Sequence, residues 1–227
     1  MKRTIVVFSV VVLALSLTAF AAEKNGASTS PDGRVTYFHG AMAGVSHPSP
    51  DLSAGTWIFQ LLDPQAKGRY FCCYGETISG ANSVIGAAYW GGQGFTPASN
   101  SHITSVKAGI GYVEGTYTDV ILSIDLDCSG VPCGTPVWSK KVTVSGTTFG
   151  SCCGIVSHRV NPPVAVTGGT QYWITATTEA ASDIWAAWNF EVLDEVDDTN
   201  IGYNSGGTWY SYSGPLGYSV SAAGTVP

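Results

Sequence analysis

Charge is scarce in this sequence: 11% of its 227 residues are Asp, Glu, Lys or Arg, and 16 acidic residues outnumber 10 basic ones, for a net charge of −6. A protein that grips nucleic acid needs a basic face to displace counterions from phosphate, so a nucleic-acid partner is excluded. Helical patterning is equally thin. Outside the N-terminal region no window carries apolar residues at i, i+3, i+4 and i+7, which argues against an α-helical fold. Two common hydrolytic motifs are also missing. There is no Gly-x-Ser-x-Gly turn for a serine nucleophile, and His39, His47, His102 and His158 stand in no metal-ligand spacing. Nothing pairs Glu76, Glu114, Glu179 or Glu191 as glycoside hydrolysis requires, with two acids about 5 to 9 Å apart across a cleft. No catalytic residue is assigned, and a secreted hydrolase is the most distant reading.

The N-terminal region does carry a pattern. Lys2 and Arg3 precede an apolar run from Ile5 to Leu17, and the small-residue site Ala19-Phe20-Ala21 follows. This is the layout of a secretory signal peptide, residues 1–21, cut after Ala21 or Ala22. A membrane anchor would need about 20 apolar residues without a cleavage site. Loss of Lys2 and Arg3 leaves 8 basic residues against 16 acidic ones, a net −8. The chain closes on Ala222 to Pro227 without a hydrophobic tail, so no integral membrane anchor is expected in the mature protein. Residues 22–53 are rich in Gly, Ser and Pro and read as a polar, partly flexible leader, with residues 54–227 as one domain.

Six cysteines, Cys72, Cys73, Cys128, Cys133, Cys152 and Cys153, are an even number, as expected for a disulfide framework in an oxidising compartment. Cys128 and Cys133 flank Ser-Gly-Val-Pro, a turn-forming stretch that brings their Cα atoms within bridging distance. The vicinal pairs Cys72-Cys73 and Cys152-Cys153 bridge either to each other or within themselves. Strand neighbours point to opposite faces, so at least one pair is expected in a loop.

Short apolar segments bounded by turn residues recur along the domain: Gly55 to Leu62, Val84 to Trp90, Ile103 to Val113, Tyr117 to Leu126, Pro136 to Val144, Gly154 to Val160 and Thr170 to Thr178. Trp185 to Val192, Asn200 to Tyr203, Thr208 to Tyr212 and Gly217 to Ala222 complete the series. Such spacing predicts an all-β fold, a single antiparallel β-sandwich, jelly-roll-like and disulfide-stabilised. Two segments alternate clearly. Val120, Leu122, Ile124 and Leu126 share one face against Asp119, Ser123 and Asp125, and Tyr172, Ile174 and Ala176 alternate with Trp173, Thr175 and Thr177. Each is expected to set one face on the core, which turns Trp173 outward.

Taken in order, Ile103 to Val113, Asp119 to Asp127, Ser129-Gly130-Val131-Pro132-Cys133-Gly134, Cys152-Cys153, Gly169-Thr170-Gln171-Tyr172-Trp173, Trp185-Ala186-Ala187-Trp188-Asn189 and Gly206-Gly207-Thr208-Trp209 form a series. It resembles the secreted bacterial β-sandwich domains called choice-of-anchor domains, over roughly Gly55 to Val226. The resemblance implies a sandwich at an extracellular address and no particular activity. This chain lacks the C-terminal sorting segment of such proteins, which points to free secretion or non-covalent attachment.

Asp125-Leu126-Asp127-Cys128-Ser129-Gly130 has the alternating oxygens of a calcium loop, but Pro136 stands where an EF-hand needs its bidentate acid. A structural Ca²⁺ that borrows ligands from another loop stays an alternative to a plain strand end and turn, the preferred reading. The acidic run Asp194 to Asp198 reads as a solvated loop. No other cofactor is expected. Seven Trp and eleven Tyr remain as the aromatic signal. Most Trp residues in sandwiches fill the core, and Trp185, Trp188 and Trp209 are read that way first. If the module stacks on sugar, Trp173, Trp209 and Tyr210 are the candidate contacts, with Trp209 and Tyr210 on opposite faces of their strand.

These features favour an extracellular structural or adhesive module that works by binding an extracellular or cell-surface partner. A carbohydrate-binding module for polysaccharide is the second reading. The mature protein is expected to begin at Ala22 or Glu23, and N-terminal sequencing of protein recovered from its native host checks this; a retained Met1 would overturn secretion.

Overall fold

A computed structural model describes residues 23–39, 56–62, 70–146, 148–150, 155–192, 199–214, 216–218 and 220–226. The fold is all-β, with two antiparallel sheets in a sandwich-like arrangement, as the spacing of short apolar segments predicts. In chain order the strands are β1 (Glu23–Lys24), β2 (Ala27–Thr29), β3 (Val35–Phe38), β4 (Thr56–Gln60), β5 (Tyr70–Ser79), β6 (Tyr89–Phe95), β7 (Ser101–Ala108), β8 (Ile110–Glu114) and β9 (Asp119–Asp127). They continue as β10 (Pro132–Thr143), β11 (Val156–Val166), β12 (Tyr172–Thr177), β13 (Trp185–Val192), β14 (Thr199–Ser205), β15 (Thr208–Gly214), β16 (Leu216–Tyr218) and β17 (Val220–Thr225).

The larger sheet has two wings. One runs β1-β2-β3-β5-β13, with β8 and β16 also paired to β13. It meets the other wing where Ser79 on β5 faces Tyr89 on β6. The second wing runs β15-β14-β6-β12-β9-β10, with β6 paired along one edge to β12 and along the other to β14. The smaller sheet is β11-β7-β17-β4. Its Ile103, Val106, Ala108 and Val220 share one buried cluster with Val120, Leu122, Ile124, Ile174 and Ala176 of the larger sheet. The two-residue alternation in β9 and β12 thus sets the expected face on the core. Leu126 departs from it and is 44% exposed, because β9 ends there and runs into the turn at Cys128.

Within the polar leader, residues 23–38 form β1 to β3, and β3 pairs with β5. The signal was an Asn-Gly dipeptide, since Asn25 and Gly26 both take positive φ, as a tight two-residue hairpin turn demands. The strand expected over Val84 to Trp90 lies further along, as Tyr89–Phe95, and residues before it form turns. Two of its glycines, which normally weaken a strand, stand where a side chain would crowd its neighbours. A Cβ on Gly91 would meet the rings of Trp188 and Tyr218 at 3.3 Å. Strand β11 runs through Pro162 and Pro163 because it is an edge strand whose register shifts between Arg159 and Val164.

Strand β5 buries an acid where the two wings meet. Glu76 is 1% exposed, and its Oε1 lies 3.8 Å from Arg34 Nε. Burial pushes the carboxyl up to about 8 against the opposing pull of the Arg34 guanidinium. The folded chain therefore holds a proton that the unfolded chain gives up near 4.5. This contribution to stability is complete below about 4.5 and is lost as pH rises through about 8. The melting temperature should fall across that window in the wild type and stay flat in Glu76→Gln. Thermal melts over a pH series measure it, and an equal slope in both proteins would assign the effect elsewhere.

Candidate functional site

The outer face of the second wing, opposite the core, carries Trp173, Thr175 and Thr177 on β12 and Ile121, Ser123 and Asp125 on β9. Cross-strand pairing sets Thr175 opposite both Ser123 and Gly92, and Gly92 in turn opposite Gly202 on β14. Two glycines in one row leave a trough where side chains would otherwise stand. Neighbouring rings lean into it: a Cβ on Gly202 would meet Trp173 Cζ3 at 3.1 Å, and one on Gly92 would meet Trp209 Cζ3 at 3.5 Å. The remaining depression is a groove of about 250 Å³. Trp90 and Trp209 line it together with Asp125, Thr175, Ser123 and Pro136.

One wall of the groove is set by a disulfide. Cys128 and Cys133 are bridged, with Cα atoms 4.9 Å apart, as their spacing predicts. Cys128 N–H donates to the Val131 carbonyl at 2.8 Å inside the turn, and Ser129 and Gly130 both take positive φ. Asp127 ties this turn to the sheet. Its Oδ1 accepts from Trp173 Nε1 at 2.7 Å and from Gln171 Nε2 at 3.0 Å, while Oδ2 accepts from Gly130 N–H at 3.1 Å. The chain then emerges at Gly134 and Pro136, both groove residues.

These bonds bear on the calcium reading. Both Asp127 oxygens accept hydrogen bonds within the protein. Among the described residues no group of three or more His, Cys, Asp or Glu side chains is placed to hold a metal. The acidic run Asp194 to Asp198 lies outside the described residues. So do Cys152 and Cys153, and nothing is described of the side chains of Cys72 and Cys73, whose backbone belongs to β5. The Cys128–Cys133 bridge speaks for an oxidising, extracellular environment. Among the described residues no helix is long and apolar enough to cross a membrane.

The three candidate stacking residues separate. Trp173 has the expected outer-face parity but is 0% exposed, held beneath the turn by Asp127 and packed on Gly202, so it offers no ring to a ligand. The expectation failed because the outer face of β12 is itself covered. Trp209 is half-buried and lines the groove. Tyr210, 48% exposed, points to the opposite face of the β14-β15 ribbon, as strand parity requires. There it stacks on Tyr203 at 5.2 Å between centroids, and the Arg34 guanidinium sits 3.5 Å from the Tyr203 centroid. Trp185 and Trp188 are fully buried, as expected of core residues.

Sequence reading missed Trp90 and Asp125 as partners of Trp209. Trp90 lay at the end of a misplaced strand, and Asp125 was weighed as a residue of the non-core face of β9 and of a candidate calcium loop. In the fold Asp125 is 3% exposed and lines the groove. Its Oδ2 accepts from the Thr175 hydroxyl at 2.8 Å, while Oδ1 has no hydrogen-bond partner among the described residues. Burial raises the pKa of its carboxyl, and the Thr175 hydrogen bond opposes the shift only in part. Trp90 Nε1 donates to the Thr178 hydroxyl at 3.1 Å, which fixes the ring beside the groove. The result is two indoles and a partly satisfied carboxylate facing one cavity.

Trp173→Ala should destabilise the protein by about 3 to 5 kcal/mol, through the cavity and the loss of a partner for Asp127, whereas Trp209→Ala should cost about 1 kcal/mol. Urea melts of the two variants check this, and equal losses would contradict the different burial of the two rings. Comparison with protein-family models, with curated proteins and with solved structures found no match for this chain.

Proposed function

We propose that the chain is a secreted binding module that recognises a saccharide chain through the outer-face groove. The carrying observation is the groove itself, where the indoles of Trp90 and Trp209 stand beside the unpartnered, buried Oδ1 of Asp125. Saccharide sites need flat apolar rings for the C–H faces of a sugar and fixed acceptors for its hydroxyls. This lining offers both, together with the hydroxyls of Ser123, Thr175 and Ser139. A desolvated acceptor without a partner costs about 1 to 3 kcal/mol, which a ligand donor would recover on binding.

Asp125 is the one carboxylate among the described lining residues, where glycoside hydrolysis uses two, and this supports binding without turnover. The oxidising environment implied by the Cys128–Cys133 bridge fits an extracellular polysaccharide as partner. The resemblance to choice-of-anchor domains concerns fold and address, and the proposal does not depend on it.

A glycan array probed with wild type should give saccharide binding that Trp209→Ala and Trp90→Ala each weaken by about 1 to 3 kcal/mol, on the scale of ring stacking against nucleobases. The far-face variant Tyr210→Ala should bind as wild type does. Loss of binding in Tyr210→Ala alone would move the site to the other face of the ribbon, and no binding by wild type would return the chain to a structural role.

A further inference from the structure

The groove carries a charge imbalance that a neutral sugar would leave uncorrected. Asp125 is its buried carboxylate, and no Lys, Arg or His is among the described lining residues. Around it on the same face stand Asp127 at one end and Asp119, paired with Thr143, at the other. Lys141, opposite Ile121 on β10, is the basic residue nearest by register, and its Nζ is held 2.6 Å from Glu179 Oε1. Its ammonium is thus committed to a carboxylate of its own. Indole faces add to the same preference, because their quadrupole attracts cations.

Resting on the saccharide reading above, we infer that the groove selects a saccharide bearing an ammonium group, a 2-amino-2-deoxy sugar chain, over its neutral counterpart. The ammonium donates to the free Oδ1 of Asp125, while the flat faces of the sugar rings lie against Trp90 and Trp209. A neutral hydroxyl at the same place would make an ordinary hydrogen bond, whereas the ammonium makes a charge-assisted one of roughly twice the strength. An N-acetyl group removes the charge and adds bulk against the groove wall at Pro136. Uronates and sulfated sugars meet like charge and are excluded.

The test is calorimetric titration of the mature chain, in mildly acidic buffer, with a β-linked glucosamine oligomer, its N-acetylated form and a uronate oligomer. The amino form should bind about tenfold or more tightly than the N-acetylated form, the ratio that corresponds to about 1.4 kcal/mol. Asp125→Asn should weaken the amino form more than the N-acetylated form and so bring the two affinities together. Thr177→Lys places an ammonium on the half-buried groove lining and should also erase the preference, which keeps the proposal testable if Asp125→Asn fails to fold. Equal or tighter binding of the N-acetylated form by wild type overturns the ammonium inference and leaves saccharide binding intact. A preference that survives both substitutions overturns it too, by tracing the selectivity to diffuse charge. Failure of all three oligomers to bind overturns this inference, and a blank glycan array separately overturns the saccharide reading.

Discussion

The outer face depends on one carboxylate. Asp127 sits where β9 gives way to the disulfide-closed turn, and its three hydrogen bonds run to the turn, to Gln171 and to the indole of Trp173. Without it the turn would keep the packing of Pro132 over Gly92 and Gly202 but lose its hydrogen bonds to the sheet, and Trp173 would be buried with an unpaired N–H. The bridge between Cys128 and Cys133 closes a loop of few residues, so the chain entropy it removes is small. Its larger effect is geometric. It holds the turn in the one shape that lets Gly130 N–H reach Asp127 and brings Pro132 over Gly92 and Gly202.

That cover makes β12 a strand buried on both faces, and the sheet answers with polar pairs and small residues. Ile174 and Ala176 go to the core, whereas Trp173 and Thr175 are equally buried on the other side. A buried polar atom must find a partner or cost free energy, and most do: Thr175 with Asp125, Trp185 with Thr36, Thr36 with Thr77. Gly92 and Gly202 supply room for Trp173 and Trp209 to lie across the strands. The groove is what remains when these large rings pack over a floor with too few side chains to fill it.

The alternation of β9 and β12, the turn signals around the strands and the Cys128–Cys133 spacing were readable in the sequence because each rests on local chemistry. The tryptophans were not, because parity alone decides which face a residue takes and says nothing of what lies above that face. Trp173 has outward parity and no exposure, since the disulfide-closed turn at Cys128–Cys133 covers it from another part of the chain. Strand β6 was misplaced for the same reason. Tyr-Trp-Gly-Gly-Gln-Gly-Phe looks like a loop until Trp188 and Tyr218 are seen to crowd the place of a Cβ on Gly91. Asn25-Gly26 is a different case, a hairpin signal hidden by the polar composition of its neighbours.

Two buried acids show how the fold separates structure from site. Glu76, sealed between β5, the Arg34 guanidinium and Tyr218, is driven toward its neutral form by burial, and the loss of solvation is absorbed by holding a proton. Asp125 is also desolvated, yet it borders a cavity, and one of its oxygens is matched by Thr175 while the other meets no donor among the described residues. A carboxylate enclosed by protein can only be neutralised by a proton or an internal cation. One that opens on a groove can be neutralised by whatever enters, and the cost of leaving it unpaired becomes the free energy by which the groove tells one visitor from another.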